Sequence, residues 1–166
     1  GGFITLSSAS GLRNLAIYYL NQNFAEPLDL IPCISIDSSG AVGTTVENVM
    51  IYNASYPMMY GHPGGNSCHE FNNIWATPLK IGFLTDNFVN MYMDAKYYAE
   101  CGFAGAPQND EERQQLYTTL KDAVAYIFER HDTPYANSLY SHSIGTGMIV
   151  RESSHPNRQT WANSGG

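Results

Sequence analysis

Three acidic residues of this 166-residue chain lie where a predicted β-strand begins or ends: Glu70, Asp86 and Asp94. Hydrolysis of a glycosidic bond needs two carboxyl groups, one that donates a proton and one that activates water or attacks the sugar carbon. His69 precedes Glu70 and is suited to positioning a carboxylate or tuning its pKa. The three acids are therefore the candidate catalytic residues. Turn capping or a solvated surface position would also explain them, and an Asx turn alone would explain Asp86.

Aromatic residues near these acids are, together with His69, the candidate substrate-binding residues. Tyr60, Trp75 and Tyr92 offer flat apolar rings with a polar edge, which suits stacking on sugar faces. Only 14% of the residues are charged, so the polar surface must come largely from neutral groups such as the 12 Tyr and the many Asn. This composition favours a protein that contacts sugars, although Tyr and Asn are also common in β-strands and turns for structural reasons.

Other kinds of chemistry find little support in the residue spacing. The five histidines (62, 69, 131, 142 and 155) lack a metal-ligand spacing such as HxxxH, and the three cysteines contain no CxxC pair. We therefore expect no metal and no cofactor. Cys33, Cys68 and Cys101 are expected to be buried thiols, with one disulfide and one free thiol as the alternative. The sequence GTG at 145–147 lacks the third glycine of a dinucleotide-binding loop and predicts a turn.

The charge balance restricts the partners. The net charge is −7 and no run of basic residues exists, so we expect no nucleic-acid partner. No apolar run approaches the roughly 20 residues of a membrane-spanning helix, so no membrane span is expected. A polysaccharide lyase needs cations to neutralise a uronate carboxylate, and Arg13, Lys80 and Lys96 are the only basic residues before position 109. Because an acidic protein also disfavours a polyanionic substrate, the charge favours a hydrolase over a lyase.

A short pattern recurs along the first part of the chain, an Asn followed by apolar residues at alternating positions. It occupies residues 12–19, 46–53, 71–75 and 88–93, and its asparagines are Asn14, Asn48, Asn73 and Asn90. Recurrence every 20 to 30 or so residues, with turns between, is typical of a solenoid. A β-sandwich also has short strands between turns, but it does not require the same pattern to recur.

Stacking of these repeats makes a specific prediction about the interior. Leu15 and Ile17 should lie against Val49 and Ile51, because alternate side chains of a strand point to the same face. The asparagines at positions 14 and 48 should then form a hydrogen-bonded ladder at a corner. Between the repeats, the Gly-rich stretch 56–68 predicts a long loop and residues 85–87 predict a turn.

Residues 109–130 predict one α-helix. Asn109 is a suitable N-cap and Glu112 occupies the third helical position, which together form a capping box. Acidic residues in the first turn are favoured by the helix dipole. An apolar stripe at helical spacing should face the core; it consists of Leu116, Leu120, Val124, Ile127 and Phe128. Residues 152–166 predict a polar tail.

Four stretches resemble the pectate-lyase-like proteins of the pectin-lyase superfamily: SGLRNLAIYY at 10–19, TTVENV at 44–49, TPLKIG at 77–82 and YYAE at 97–100. The resemblance runs from about residue 2 to about residue 152. It implies a right-handed, single-stranded parallel β-helix in which the helix 109–130 is an insertion. It also implies an extracellular protein, or one on a cell or virion surface, that handles polysaccharide. No catalytic motif of the family can be placed on this chain.

Residues 1–166 are thus expected to form one mainly β domain. The absence of an initial Met and of a visible cap suggests a fragment of a longer chain, whose further coils, or a homo-oligomer, would cover the ends. The leading expectation is an enzyme that hydrolyses glycosidic bonds of a polysaccharide or oligosaccharide with paired carboxylates. The first alternative is a non-catalytic carbohydrate-binding or structural module of a surface or phage tail protein. The second alternative is a polysaccharide lyase.

Overall fold

The computed structural model describes residues 2–36, 41–98 and 107–153, with side chains throughout except at 61–67, 87–98 and 132–134. These residues form a mainly β structure with parallel strands and one α-helix, which confirms the predicted fold class at this level. The strands are β1 (Ile4–Leu6), β2 (Gly11–Tyr18), β3 (Ile34–Ile36), β4 (Thr45–Ala54), β5 (Met58–Pro78), β6 (Ile81–Tyr98), β7 (Val124–Phe128), β8 (His131–His142) and β9 (Thr146–Val150), and the helix is α1 (Asp110–Leu120).

The described strands pair in two rows, and every pairing is parallel. One row runs β1-β3-β5-β6-β7-β9 and the other runs β2-β4-β5-β6-β8, so the long strands β5 and β6 belong to both. Residues at equivalent positions in neighbouring strands form columns across the sheet. Because every second side chain of a strand faces the same way, each column is either buried or exposed along most of its length.

Three buried columns build the core between β2, β4 and β5. They are Leu12–Val46–Phe71, Leu15–Val49–Ile74 and Ile17–Ile51–Ala76. The members in β4 and β5 are at most 3% exposed, and those in β2 are half-buried at the edge of the sheet. The register confirms the predicted stacking of Leu15 and Ile17 on Val49 and Ile51.

An asparagine ladder crosses these strands. Asn14, Asn48 and Asn73 have φ angles of 56°, 53° and 52°, the left-handed conformation that Asn tolerates better than most residues. Nδ2 of Asn48 donates to Oδ1 of Asn14 at 3.1 Å, and Nδ2 of Asn73 donates to Oδ1 of Asn48 at 2.9 Å. The predicted ladder is therefore confirmed, and it has a third member. Each left-handed residue interrupts the alternation, which lets Val46 and Val49 both face inward across Asn48.

The fourth repeat was aligned wrongly from the sequence. Ser67 pairs with Val89 and His69 pairs with Met91, which puts the backbone of Asn90 beside Cys68 and not beside Asn73. In β8, the residue that continues the left-handed positions is Ser138, with φ of 56°. The error arose because the repeat length varies, so a short Asn-apolar match does not define the register.

The loop predicted at 56–68 and the turn predicted at 85–87 are both wrong. Strand β5 runs without interruption through the Gly-rich stretch, and β6 runs through Thr85 and Asp86. In β5, residues before and after 62–65 pair with β6, and in β6 Thr85 pairs with both β5 and β7. This tertiary pairing overrides the local turn propensity.

The helix is shorter than predicted. Asn109 caps it by accepting from the Glu112 N–H, as predicted. The reciprocal bond of the predicted capping box is displaced by one residue, because Glu112 accepts from the Gln108 N–H and not from that of Asn109. The helix ends at Leu120, however, and residues 124–128 form β7, which pairs with β6 and β9. Gly145 closes the helix end with an N–H donated to the Leu120 carbonyl at 2.7 Å. A Cβ on Gly145 would lie 1.7 Å from the Lys121 carbonyl oxygen, so only glycine fits.

The cysteines fit the prediction in part. Cys33 is a buried free thiol, whereas the free thiol of Cys68 is exposed. Cys101 lies outside the described residues, as do residues 154–166 of the predicted polar tail. In the part of the chain that is described, no helix is long and apolar enough to cross a membrane.

Candidate functional site

The predicted catalytic acids have different environments. Asp86 is 2% exposed, and its carboxylate accepts from Ser153 Oγ at 2.6 Å and from the Arg130 N–H at 3.3 Å. Glu70 is exposed and lies on β5. Asp86 pairs with Gly61, whereas Glu70 pairs with a residue farther along β6. The structure therefore does not bring Asp86 and Glu70 together, and Asp86 instead holds the chain segment after β9.

The third acid, Asp94, lies in β6 directly opposite Asn72, which is two residues after Glu70. The side chain of Asp94 is outside the part that the structure describes, and so is that of Tyr92. The backbone of Tyr92 lies between Glu70 in β5 and Tyr135 in β8. Glu70 and Asp94 thus occupy neighbouring strands close to each other in register.

Two of the predicted substrate-binding residues are in the core. Tyr60 is 0% exposed and its ring meets Phe71 edge-on at a centroid distance of 4.8 Å. His69 is 1% exposed, and its Nδ1 lies 2.8 Å from Oγ1 of Thr44. Burial lowers the pKa of His69 to about 4 and raises the pKa of Tyr60. Buried rings cannot stack on a ligand at the surface, so that role does not fit the position of either residue.

Trp75 is the predicted binding residue that lies at an accessible position. It is half-buried and occupies an outward column with Met50, on the side of the ladder that follows the asparagines. Its Nε1 donates to Oδ1 of Asn73 at 2.7 Å. This hydrogen bond connects the indole to the asparagine ladder and fixes the orientation of the ring.

Trp75 belongs to a larger surface that the sequence interpretation missed. The "outer aromatic surface" consists of outward side chains that follow the left-handed residues of β2, β4, β5 and β8: Tyr18, Met50, Tyr52, Trp75, Tyr140 and His142. Exposure is 39% for Tyr18, 38% for Met50 and 42% for Tyr140. The rings of Tyr18 and Tyr52 meet edge-on at 6.2 Å, and those of Tyr140 and His142 are parallel within 4° at 6.5 Å.

A sequence signal for this surface does exist. Met50 and Trp75 stand two residues after Asn48 and Asn73, and Tyr140 stands two residues after Ser138. Tyr18, Tyr52 and His142 stand four residues after a left-handed residue. When the left-handed residues of neighbouring strands lie side by side, outward residues at the same offset from them also lie side by side. Finding them from sequence would have required knowing that Ser138 replaces Asn in the column.

The surface on the other side of the ladder carries charged side chains together with the exposed ring of Tyr135. Arg13 and Glu47 form an ion pair at 3.1 Å between Nε and Oε2 across β2 and β4, and the exposed Glu70 lies beside Thr45. The ladder thus separates an aromatic side from a side that carries carboxylates. Among the described residues, no three His, Cys, Asp or Glu side chains come together as metal ligands.

No protein-family model, curated protein or solved structure matches this chain.

Proposed function

We propose that the parallel strands wind as coils of a right-handed β-helix, as the resemblance to pectate-lyase-like proteins implies, and that the outer aromatic surface binds polysaccharide. Support for the winding comes from the ladder, in which the chain returns to the same column after 34 and then 25 residues. The pairing of β5 and β6 in both rows fits strands that pass around a corner. Crossovers between parallel strands are right-handed in almost all proteins, which supports the handedness.

The observation that carries the binding proposal is the repetition of aromatic side chains at fixed offsets from the ladder. Neighbouring strands are about 4.8 Å apart, so Tyr18 lies next to Tyr52, and Met50 lies next to Trp75. Trp75 and Tyr140 lie on either side of the backbone of Lys96 in β6, so the apolar side chains form two groups on one surface. A glycan chain presents alternating C–H faces and hydroxyl groups, and aromatic side chains match both. Because the bond from Trp75 to Asn73 fixes the indole, little side-chain entropy is lost on binding.

The charge of the chain indicates the class of glycan. With a net charge of −7, the protein repels polyanions at long range, and we infer a neutral polysaccharide or oligosaccharide as the ligand. The resemblance to pectate-lyase-like proteins implies a protein outside the cell or on a cell or virion surface. An extracellular or surface location is therefore part of the proposal.

Glycan binding by tyrosine variants tests this proposal. Tyr140→Ala removes a ring from the outer aromatic surface, and Tyr135→Ala removes a more exposed ring (61%) from the other side of the ladder. We expect Tyr140→Ala to weaken binding of a neutral oligosaccharide about tenfold, and Tyr135→Ala to leave it nearly unchanged. Calorimetric titration with a panel of neutral and acidic glycans measures both. The proposal would be refuted if wild type binds no glycan of the panel, or if both variants lose affinity equally.

Glycoside hydrolysis is the second candidate, and the register of Glu70 and Asp94 favours it. With about 4.8 Å between strands and about 3.3 Å per residue, their Cα atoms lie about 8 Å apart, which allows two carboxyl groups to reach one glycosidic bond. If these residues are the pair, Glu70→Gln and Asp94→Asn should each abolish reducing-sugar release, whereas the exposed helix acid in Glu111→Gln should not matter. Absence of release from the whole panel would leave only the binding function.

A further inference from the structure

A small polar cavity, here called the end pocket, lies where the outer aromatic surface meets helix α1. Its volume is about 240 Å³. Tyr18 belongs to both the surface and the cavity. The residues of the pocket used below are Tyr18, Asn23, Asn53, Glu112 and Gln115.

The wall of the end pocket is held in place by the packing of the helix on the loop that follows β2. Phe24 of this loop is buried with Leu116 and Leu120 of α1, and the Thr119 hydroxyl donates to the Phe24 carbonyl. Before Phe24, Gln22 donates to Ser55 at 3.1 Å and accepts from the Leu28 N–H at 3.1 Å. Because the loop is fixed at both points, the cavity is pre-formed and needs little rearrangement to accept a ligand.

The lining of the end pocket is mainly polar, with Leu20 and Phe24 as its aliphatic and phenyl members. Amide side chains donate and accept hydrogen bonds, Glu112 accepts them, and Tyr18 adds a ring. Asn53 is 4% exposed and has φ of 60°, so its position is set by the backbone corner after β4. None of the described lining residues is Lys or Arg, which disfavours an anion. The volume is below the roughly 300–1,000 Å³ of sites for drug-sized ligands, so one ring fits and a chain does not.

From this lining, size and position we propose that the end pocket binds a single neutral sugar ring, the terminal residue of the glycan on the outer aromatic surface. The inference rests on the proposed function for its ligand class. Oε2 of Glu112 already accepts from the Gln108 N–H, and Nε2 of Gln115 donates to Glu111 at 3.4 Å. The sugar hydroxyls therefore bond to the other oxygen of Glu112 and to the amide oxygen and second N–H of Gln115, and Tyr18 contacts the next ring of the glycan. The surface then binds a glycan by its end and not at an arbitrary point along its length.

Titration with monosaccharides tests the end pocket separately from the surface. The probes are glucose, galactose, mannose and N-acetylglucosamine at millimolar concentration, followed by chemical-shift changes in NMR spectra. The variant Gln115→Leu alters the pocket, and Gln114→Leu makes the same change at the neighbouring exposed position of α1, outside the pocket. We expect wild type and Gln114→Leu to bind at least one sugar, and Gln115→Leu to bind it about tenfold more weakly. Circular dichroism checks that both variants keep the helix.

The outcomes separate the two proposals. If no monosaccharide binds, or if Gln115→Leu binds like Gln114→Leu, the end pocket is not a sugar site, even if polymers still bind through Tyr140. If a monosaccharide binds equally to wild type and to Tyr140→Ala and more weakly to Gln115→Leu, but no polymer binds, the end pocket is a sugar site and not the end of a longer glycan site. The proposed surface function then fails.

Discussion

Asn48 is the central member of the asparagine ladder, and its replacement tests whether the ladder stabilises the fold. Its side chain makes two hydrogen bonds, to Asn14 at 3.1 Å and from Asn73 at 2.9 Å. Its backbone is left-handed, with φ of 53°. The side chain and the backbone thus contribute separately, and two substitutions distinguish them. Asn48→Gly removes only the side-chain bonds, whereas Asn48→Ala also places a Cβ where an L-residue is strained.

The magnitudes follow from these two contributions. Asn48 is exposed, so each lost hydrogen bond should cost about 0.5–1 kcal/mol of unfolding free energy. Asn48→Gly should therefore destabilise by about 1–2 kcal/mol. The left-handed conformation of alanine adds about 1 kcal/mol, so Asn48→Ala should cost about 2–3 kcal/mol. For a chain of this size, the alanine variant should melt roughly 5–10 °C lower.

Urea unfolding followed by circular dichroism gives these free energies. Asn72→Ala is the matched control, because Asn72 is exposed in the same sheet and has no left-handed backbone. We expect the control to change stability by less than about 0.5 kcal/mol. If Asn48→Ala matches the control, the ladder contributes nothing. If the alanine and glycine variants are equally destabilised, the left-handed backbone is not the second contribution, and that part of the reasoning is wrong.

Two further predictions concern buried charged or titratable side chains. The unfolded chain protonates His69 below about pH 6.5, but the folded chain does so only near pH 4, so stability should fall by about 2 kcal/mol from pH 7 to pH 5. Urea unfolding at both pH values should show this loss of stability in wild type and in His142→Gln, a control at an exposed histidine. The loss should be smaller in His69→Gln. An equal loss in all three proteins would contradict the role of His69. Glu129 has a side chain only 1% exposed and is paired with Arg151 at 2.6 Å, so Arg151→Ala should cost about 3 kcal/mol by leaving the carboxylate buried. The control Arg113→Ala breaks an exposed pair and should cost less than about 1 kcal/mol, and similar losses in both variants would refute the role of burial.

The register of the first strands could be predicted because it depends on local features. Leu15 and Ile17 alternate with polar residues, and the same alternation follows Asn48, so pairing them in phase is the arrangement that buries both sets. Asn is also one of few residues suited to a left-handed corner, which marks the bend within the sequence itself.

The ends of the elements could not be predicted in the same way. Residues 124–128 carry apolar side chains at spacings that also suit a helix, and β6 and β9 on either side decide that they form a strand. The Gly-rich part of β5 has turn propensity, but pairing with β6 before and after residues 62–65 keeps it within the strand. In both places the deciding partner is distant along the chain.

In the candidate site, too, local sequence features and tertiary pairing determined different properties. By itself, the sequence determined that Asn14 and Asn48 are corner residues and that the apolar residues after them alternate inward, because backbone conformation and side-chain periodicity are local properties. Tertiary structure alone decided that Asp86 is buried against Ser153 while Glu70 is exposed, since burial depends on which strands lie alongside. It also brought Tyr18, Trp75 and Tyr140 onto one surface, because parallel pairing aligns positions that are far apart in the chain.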